Sequence, residues 1–204
     1  AFDYVGVDRE TGAAQFRNHE GKIVASSELT DEDMTDIGSA IPKFTYGITL
    51  NLEYKGFDFT AFGTGVAGNK IFNILYRADS PLRNSLKYYM DNAWTPENKG
   101  ASMPAVNNVA TDLNFWSSSA AMFNGSYFKI KQLQLGYTLP KRLTQKVAIK
   151  DLRFFVSLDD FFTFSNYPGM DPETATTGNN GGAGFDIGSY PTMKKCSFGA
   201  SFSF

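Results

Sequence analysis

The sequence predicts an all-β chain, an antiparallel segment of a transmembrane β-barrel with long extracellular loops. The first observation is composition: the 204 residues include 19 Phe and 10 Tyr, and aromatic residues favour strands. The second is strict alternation of apolar and polar side chains in about five segments of about ten residues each. The third is that short and long connections alternate between these segments, as they do in outer-membrane barrels.

Composition and charge exclude several classes of protein. The formal net charge of −2 gives no basic patch, so we expect no nucleic-acid partner. Cys196 is the single cysteine, which excludes an internal disulfide framework. No run approaches the roughly eighteen apolar residues that a membrane-spanning helix needs. The mean hydropathy of −0.26 is compatible with membrane strands, because every second residue of such a strand is polar.

Residues 43–68 predict a strand hairpin. Every even position from Phe44 to Tyr54 is apolar, and the positions between them are Thr or other polar or small residues. This period of two gives the strand one apolar and one polar face. Gly56 allows a tight turn, and Phe57 begins a return strand that runs to about Ala67.

The regions around this hairpin read as long extracellular loops. Residues 1–42 form the first such region, with a further strand expected in Phe2–Val7 or near Phe16. Residues 69–126 contain three prolines and several Asn, and we predict a long extracellular loop with a short helix within Leu82–Met90. A loop of this length is usually functional.

The second half of the chain predicts a strand pair at 127–164, an extracellular loop at 165–191 and a terminal strand at 192–204. Pro140 ends the first strand of the pair, and a short connection follows. The Asp159–Asp160 pair interrupts the alternation of the second strand, which indicates a β-bulge.

Strand length and alternation together predict which side chains face lipid. At ~3.3 Å per residue and a ~45° tilt, ten residues rise about 23 Å, close to the ~25 Å apolar band of an outer-membrane barrel. The predicted lipid-facing residues are Phe44, Ile48, Leu50, Leu52, Leu133, Leu135, Phe198 and Phe202. The predicted lumen-facing residues are Thr45, Thr49, Asn51, Gln132, Gln134, Ser197 and Ser201.

The number of strands predicts an incomplete barrel. Five to six strands cannot close, since the smallest membrane barrels have eight. An open sheet edge is too costly in hydrocarbon, so we expect the outermost strands to pair with other polypeptide. The alternative is a soluble or surface β-sandwich, a binding protein or adhesin without transport activity, in which the apolar faces would form a core between two sheets.

Several short motifs, in order along the chain, resemble one known family. Ser126–Lys131 followed by Leu135–Pro140 is similar to the "SYLRLKN…LGYTLP" stretch of SusC/RagA-type TonB-dependent outer-membrane transporters of Bacteroidetes. Further matching segments are Ile37–Gly38–Ser39 with Pro42 and Phe44–Gly47 ("iGs…P.f.yG"), 54–58 ("YKGFD"), 94–98 ("WTPEN"), 167–172 ("YPGyDPE") and 188–191 ("GSYP"). Each motif is weak alone, whereas the ordered set is specific and covers nearly the whole chain.

The resemblance implies a fold, a location and partners. Such transporters have a plug inside a barrel of about 22 strands and import glycans or peptides with energy from TonB. It implies the outer membrane of a Gram-negative, Bacteroidetes-type cell, with membrane lipid around the barrel. The matched part is the carboxy-terminal barrel portion, so the rest of the barrel, the plug that contacts TonB, a SusD-type surface lipoprotein and an oligosaccharide or peptide substrate are implied partners. The aromatic residues of the predicted terminal strand, Phe198, Phe202 and Phe204, resemble the assembly signal of such barrels.

The sequence predicts no enzyme: we assign no catalytic residue, no metal site and no cofactor. His19 is the only histidine and lies in a polar stretch, as expected for a solvated loop residue. The acidic residues 31–36 could bind Ca²⁺ through oxygens, or could begin a helix after Thr30, which we favour.

Aromatic residues of the predicted 69–126 loop are the candidate contacts for substrate or for the lipoprotein lid. Exposed rings could stack on sugars or provide rigid contact area for a protein. These residues are Tyr88, Tyr89, Trp94, Phe115 and Trp116. The alternative, which we favour, is that the rings pack among the loops themselves.

Overall fold

The computed structural model of the chain describes residues 1–73, 87–144, 149–177 and 182–204. The strands are β1 (Asp3–Val7), β2 (Ala14–Arg17), β3 (Ile23–Ala25), β4 (Phe44–Tyr54), β5 (Phe57–Ala67), β6 (Lys70–Asn73), β7 (Met122–Asn124), β8 (Tyr127–Thr138), β9 (Asp151–Ser165), β10 (Phe185–Asp186) and β11 (Lys195–Ser203). The helices are α1 (Lys87–Asn92), α2 (Val106–Val109), α3 (Leu113–Trp116), α4 (Lys141–Thr144) and α5 (Pro172–Thr177).

The helices of the described ranges are short. None of them has the length and apolar character that crossing a membrane requires.

The chain divides into two compact units, each with its own sheet structure. One, which we call the loop unit, comprises Ala1–Ile41, Gly68–Gly125 and Tyr167–Tyr190. The other, the sheet unit, comprises Pro42–Ala67, Ser126–Asn166 and Pro191–Phe204.

The sheet unit contains a five-stranded sheet in the order β11-β9-β8-β5-β4, with antiparallel pairing throughout. The β4–β5 hairpin forms where the alternation predicts it, and Lys55 and Gly56 make its two-residue turn. Both have positive φ, 47° and 87°, which matches the twist of a tight hairpin. Within the described residues no further strand pairs with the outer edges of β4 and β11, so the sheet is open.

The predicted irregularity in the second strand of the pair is present. The register of β8 and β9 shifts between Ile130 and Gln132, next to Asp160. Asp160 has a φ of 58°, a left-handed conformation that Asp tolerates better than most residues, and its carboxylate lies 2.7 Å from the Lys131 ammonium. The bulge therefore carries an ion pair between its two irregular positions.

The loop unit contains two small sheets, in the orders β1-β2-β3 and β10-β6-β7. Strands occur both at Asp3–Val7 and around Phe16, where the sequence predicted one further strand. They pair with each other and not with the five-stranded sheet, so a sixth strand in that sheet is not found among the described residues. The sheet has five of the five to six expected strands.

The segment 69–126 is more structured than the expected loop. It contributes β6, β7 and three short helices, and its apolar side chains form part of a core around Phe16, Phe115 and Val109. Helix α1 covers the end of the predicted Leu82–Met90 helix, and residues 82–86 lie outside the described residues. The loop unit is thus held by its own hydrophobic core.

Candidate functional site

The register of the sheet unit sorts its side chains onto two faces. Residues paired across an antiparallel ladder share a face, so each row of partners can be followed across all five strands. One row runs Leu52, Phe59, Leu135, Val156, Phe198, and the next apolar row runs Leu50, Ala61, Leu133, Leu158, Cys196. The eight predicted lipid-facing residues all lie on this one face.

The opposite face is polar. Its central row runs Asn51, Thr60, Gln134, Ser157, Ser197 across the same five strands. Within it the Thr60 hydroxyl donates a hydrogen bond of 2.9 Å to the Asn51 side-chain oxygen. The residues predicted to face the lumen share this polar face.

The apolar face is exposed. Leu52 at one side of the sheet is 54% exposed, and Phe198 at the other side is 82% exposed. A continuous exposed apolar surface of this extent is not stable in water. It indicates a sheet whose natural surroundings on that side are lipid or protein.

Aromatic rings border this apolar face at both ends of the strands. At one end Tyr46, Phe128 and Phe164 form a stacked row, with ring centroids 6.0 and 6.4 Å apart. At the other end Phe57 and Tyr137 lie 4.5 Å apart. In membrane barrels, rings of this kind border the two interfaces. Tyr46 and Tyr54 are eight residues apart in β4, and in a strand tilted by ~40° this spacing corresponds to about 20 Å along a membrane normal.

An ion pair crosses the polar face near the hairpin turn. The Arg153 guanidinium of β9 binds the Asp58 carboxylate of β5 through two contacts of 2.5 and 2.8 Å. The strand between them, β8, has Gly136 at this position, and a Cβ atom there would overlap both the Arg153 guanidinium and the Asp58 carboxylate. The glycine therefore allows the pair to bridge three strands.

The loop aromatics pack mainly within the loop unit, as favoured above. Tyr89 and Phe115 are 6% and 1% exposed, so these two rings are buried and not exposed. Tyr89 meets the ring of Trp116 edge-on at 5.1 Å, and Trp116 meets Phe115 at 4.9 Å. Tyr88 packs against the same core. Packing within the loop unit, the alternative reading of the sequence, accounts for these four residues.

Trp94 is the fifth of these aromatic residues, and it is half-buried. Its indole N–H donates to the Arg9 carbonyl at 3.0 Å, and its ring lies against Gly12. A role of the five residues in binding substrate or a lid protein stays a prediction, with Trp94 outside the main core cluster.

His19 has a partner that the sequence did not indicate. Its Nδ1 lies 2.6 Å from the Asp33 carboxylate, which also accepts hydrogen bonds from the backbone N–H groups of His19 and Thr30. The hydrogen bond with Asp33 raises the pKa of His19, and the backbone donors hold the pKa of Asp33 well below its usual range. Asp31–Asp33 form a helical turn after Thr30, as favoured above.

A metal site is not found in the described parts of the chain, where no three His, Cys, Asp or Glu side chains lie close enough together to hold a metal ion.

The motif segments at 167–172 and 188–191 both contribute to a buried polar network around Tyr167. The Tyr167 hydroxyl donates to the Asp186 carboxylate at 2.5 Å and accepts from the Asn73 amide at 3.1 Å. Sequence reasoning missed this network, although the motif resemblance marked two of its segments.

Known proteins are similar to this chain in sequence and in the arrangement of strands. No protein-family model matches the chain. TonB-dependent receptor P3 of Formosa agariphila is 32% identical over 205 residues, which cover 97% of this chain and 19% of that receptor. TonB-dependent receptor P26 of the same organism is 25% identical over 199 residues, covering 95% of this chain and 20% of that receptor.

Solved structures show the same architecture. The structure of the RagAB peptide transporter matches with a TM-score of 0.77 and 25% identity, over 100% of this chain and 22% of that one. The RagAB peptide importer in its 'open-open' state matches with a TM-score of 0.76. The chain is a portion of a SusC/RagA-like TonB-dependent receptor.

The family resemblance seen in the motifs is thereby confirmed. TonB-dependent receptors are outer-membrane proteins, so the expected location holds for the receptor of which this chain is a portion. The chain spans about a fifth of the length of the receptors it matches. The exposed apolar face and its aromatic borders are the features that such a membrane segment requires.

Proposed function

We propose that the sheet unit forms part of the barrel wall of an outer-membrane importer of glycans or peptides. The observation that carries this proposal is the exposed apolar face, which runs unbroken from Leu52 to Phe198 and is matched by an equally continuous polar face. A barrel wall needs lipid on one side and water on the other. The open edges at β4 and β11 would pair with further strands of a barrel of about 22 strands.

We also propose which end of the five-stranded sheet faces the periplasm and which faces the cell exterior. The Lys55–Gly56 turn and the connection from β8 to β9 lie at one end of the sheet, because Tyr54, Phe57, Tyr137 and Phe154 are register partners. The long connections 68–126 and 166–194 leave from the other end. Short turns are periplasmic in such barrels, so the loop unit would be extracellular.

The relatives support a proposal for the substrate and the partners. The RagAB importer is a peptide importer, which supports peptides over glycans as the substrate of this receptor. A SusD-type surface lipoprotein as lid, and a plug that couples the barrel to TonB, are proposed on the same basis. The side chains of Tyr88, Tyr89, Trp94, Phe115 and Trp116 would contribute to the extracellular part, with Trp94 as the candidate contact.

Uptake by cells tests the function. Deleting the gene of the full-length receptor should abolish uptake of a fluorescent peptide mixture, and the gene in trans should restore it only while TonB is present. Uptake of a fluorescent oligosaccharide mixture in place of the peptides would support the glycan alternative. Unchanged uptake of both would contradict the importer and favour a binding protein or adhesin.

The aromatic residues near the end of the chain are proposed as an assembly signal. Phe198 and Phe202 lie on the apolar face, and the rings of Phe202 and Phe204 meet edge-on at 5.6 Å. Replacing Phe202 with Ser should lower the amount of receptor in the outer membrane, while uptake per receptor stays unchanged. A normal amount with lost uptake would assign these residues to transport instead.

A further inference from the structure

One face of β6 is buried against the outer segment, by which we mean residues 167–177 and 182–190. Asn69, which directly precedes β6, alternates with Ile71 and Asn73 of β6 on this face, and all three are 1% exposed or less. The Asn69 amide donates to the Thr176 hydroxyl at 2.9 Å, and the Asn73 amide donates to the Tyr167 hydroxyl at 3.1 Å. Between them Ile71 packs with the Tyr167 ring and Ala175. Polar and apolar positions thus match across the contact.

Tyr167 is the centre of this contact. Its hydroxyl donates at 2.5 Å to Asp186, whose other carboxylate oxygen accepts from the Gly188 backbone N–H at 2.9 Å. Asp186 and Tyr167 are both buried, and a buried carboxylate is stable only when donors surround it. Burial, with the hydrogen bond to Asp186, raises the pKa of Tyr167 far above its ordinary value, so the phenol remains a donor.

Gly169 and Gly188 permit the backbone conformation on which the contacts of Tyr167 and Asp186 depend. A Cβ atom at Gly169 would overlap the Tyr167 ring. Gly188 has a φ of 88°, which lets its N–H reach back to Asp186 and which few side chains tolerate. The backbone adds a parallel pairing in which the Phe72 N–H donates to the Gly184 carbonyl at 2.8 Å. The outer segment is therefore docked on β6 by backbone and side chains together.

We propose that the hydrogen-bonded network of Asn73, Tyr167 and Asp186 is a latch that keeps the outer segment docked on β6 throughout transport. Tyr167 is then a positioning residue, and the outer segment is a fixed wall of the receptor and not a moving gate. The statement about transport rests on the proposed importer function, whereas the latch itself does not.

Hydrogen exchange of the full-length receptor tests the latch. Tyr167→Phe keeps the ring and removes the hydroxyl, so one buried carboxylate oxygen of Asp186 loses its Tyr167 donor while the other keeps the Gly188 N–H. Peptides covering 182–190 should then exchange about tenfold faster or more, the range expected for losing a hydrogen bond to a charged group. Tyr190→Phe removes a hydroxyl from the same segment at a site that is 82% exposed, and exchange should not change. Equal exchange in both variants would overturn the latch.

A second variant, Asn73→Ala, allows the latch to be tested even if Tyr167→Phe misfolds. If Tyr167→Phe lowers the amount of folded receptor, Asn73→Ala removes the amide that donates to the Tyr167 hydroxyl and leaves Tyr167 and Asp186 intact. It should accelerate exchange of the same peptides, and unchanged exchange would again overturn the latch.

A crosslink separates a fixed wall from a gate. Phe72 and Phe185 are partners in the parallel pairing, so cysteines at both positions can join β6 to the outer segment. The oxidised double variant should import as fast as the reduced one if the segment stays docked. Uptake that stops on oxidation and returns on reduction would show a gate and overturn the proposal. If the unmodified receptor imports nothing, the importer function fails, and the exchange measurement still decides the latch.

Discussion

His19 and Asp33 form a residue pair whose contribution to stability depends on pH. The pKa of His19 is raised from 6.5, so the pair contributes fully below about pH 6.5 and loses this contribution as pH rises through the folded-state pKa of His19. The pKa of Asp33 is lowered from 3.8, so its contribution is present above about pH 4 and is lost only in stronger acid. Stabilisation by the pair is therefore greatest between these limits.

We predict that His19→Gln lowers the unfolding midpoint of the receptor more at pH 5.5, within the window set by these pKa directions, than at pH 8. Thermal unfolding of both proteins in the same detergent measures the difference, and contributions from other titrating groups cancel between them. In an Asp33→Asn background the His19 substitution should have the same small effect at both pH values. A difference that grows with pH would contradict the assigned pairing.

Gly136 is the residue on which the Asp58–Arg153 pair depends. We predict that Gly136→Ala lowers stability by about 1–3 kcal/mol, because the new methyl group must displace one of the charged side chains. Urea unfolding of the purified receptor measures the change. Gly47→Ala is the matched control, since a Cβ at Gly47 would meet its nearest neighbour at an ordinary 3.7 Å. Equal stability of the two variants would show that the pair adapts to the methyl group.

At the scale of elements, the alternation in the five long strands predicts which side chains a water-soluble reagent can reach. These strands are β4, β5, β8, β9 and β11. We predict that Asn51→Cys and Gln134→Cys react with a membrane-impermeant thiol reagent when it reaches the lumen, and that Leu50→Cys and Leu133→Cys are protected by lipid. Mass spectrometry of labelled receptor in membranes measures the reaction. Cys196 lies on the apolar face and is exposed in the chain, so a Cys196→Ala background is needed. Better labelling of the leucine positions would reverse the faces.

These long strands were predictable from sequence because their period of two is local and uninterrupted. The same is true of the Asp159–Asp160 bulge, which is visible as a break in that period. In the loop unit, β6 and β10 were not predictable, because they pair in parallel with each other over a hundred residues apart in sequence. The burial of Tyr89 and Phe115 likewise depends on residues from distant segments, such as Phe2 and Phe16.

At the scale of the whole molecule, the proposed topology places the short and the long connections on opposite sides of the membrane. Gly100 lies in a turn of the long 68–126 connection, where a side chain meets no atom within 4 Å. Arg142 lies exposed in α4, in the short connection from β8 to β9. These two positions can therefore carry a cysteine without disturbing either unit.

We predict that Gly100→Cys, in the Cys196→Ala background, reacts with an impermeant thiol reagent on intact cells, whereas Arg142→Cys reacts only after the outer membrane is permeabilised. The physical reason is that a polar connection cannot cross the hydrocarbon layer once the strands are inserted, so each side is fixed by the parity of the strands between them. One strand of the five-stranded sheet, β8, lies between the two sites along the chain, so they are expected on opposite sides of the membrane. Equal amounts of both variants in the membrane, measured by immunoblot, provide the control. Labelling of Arg142→Cys but not of Gly100→Cys on intact cells would invert the proposed topology and place the loop unit in the periplasm.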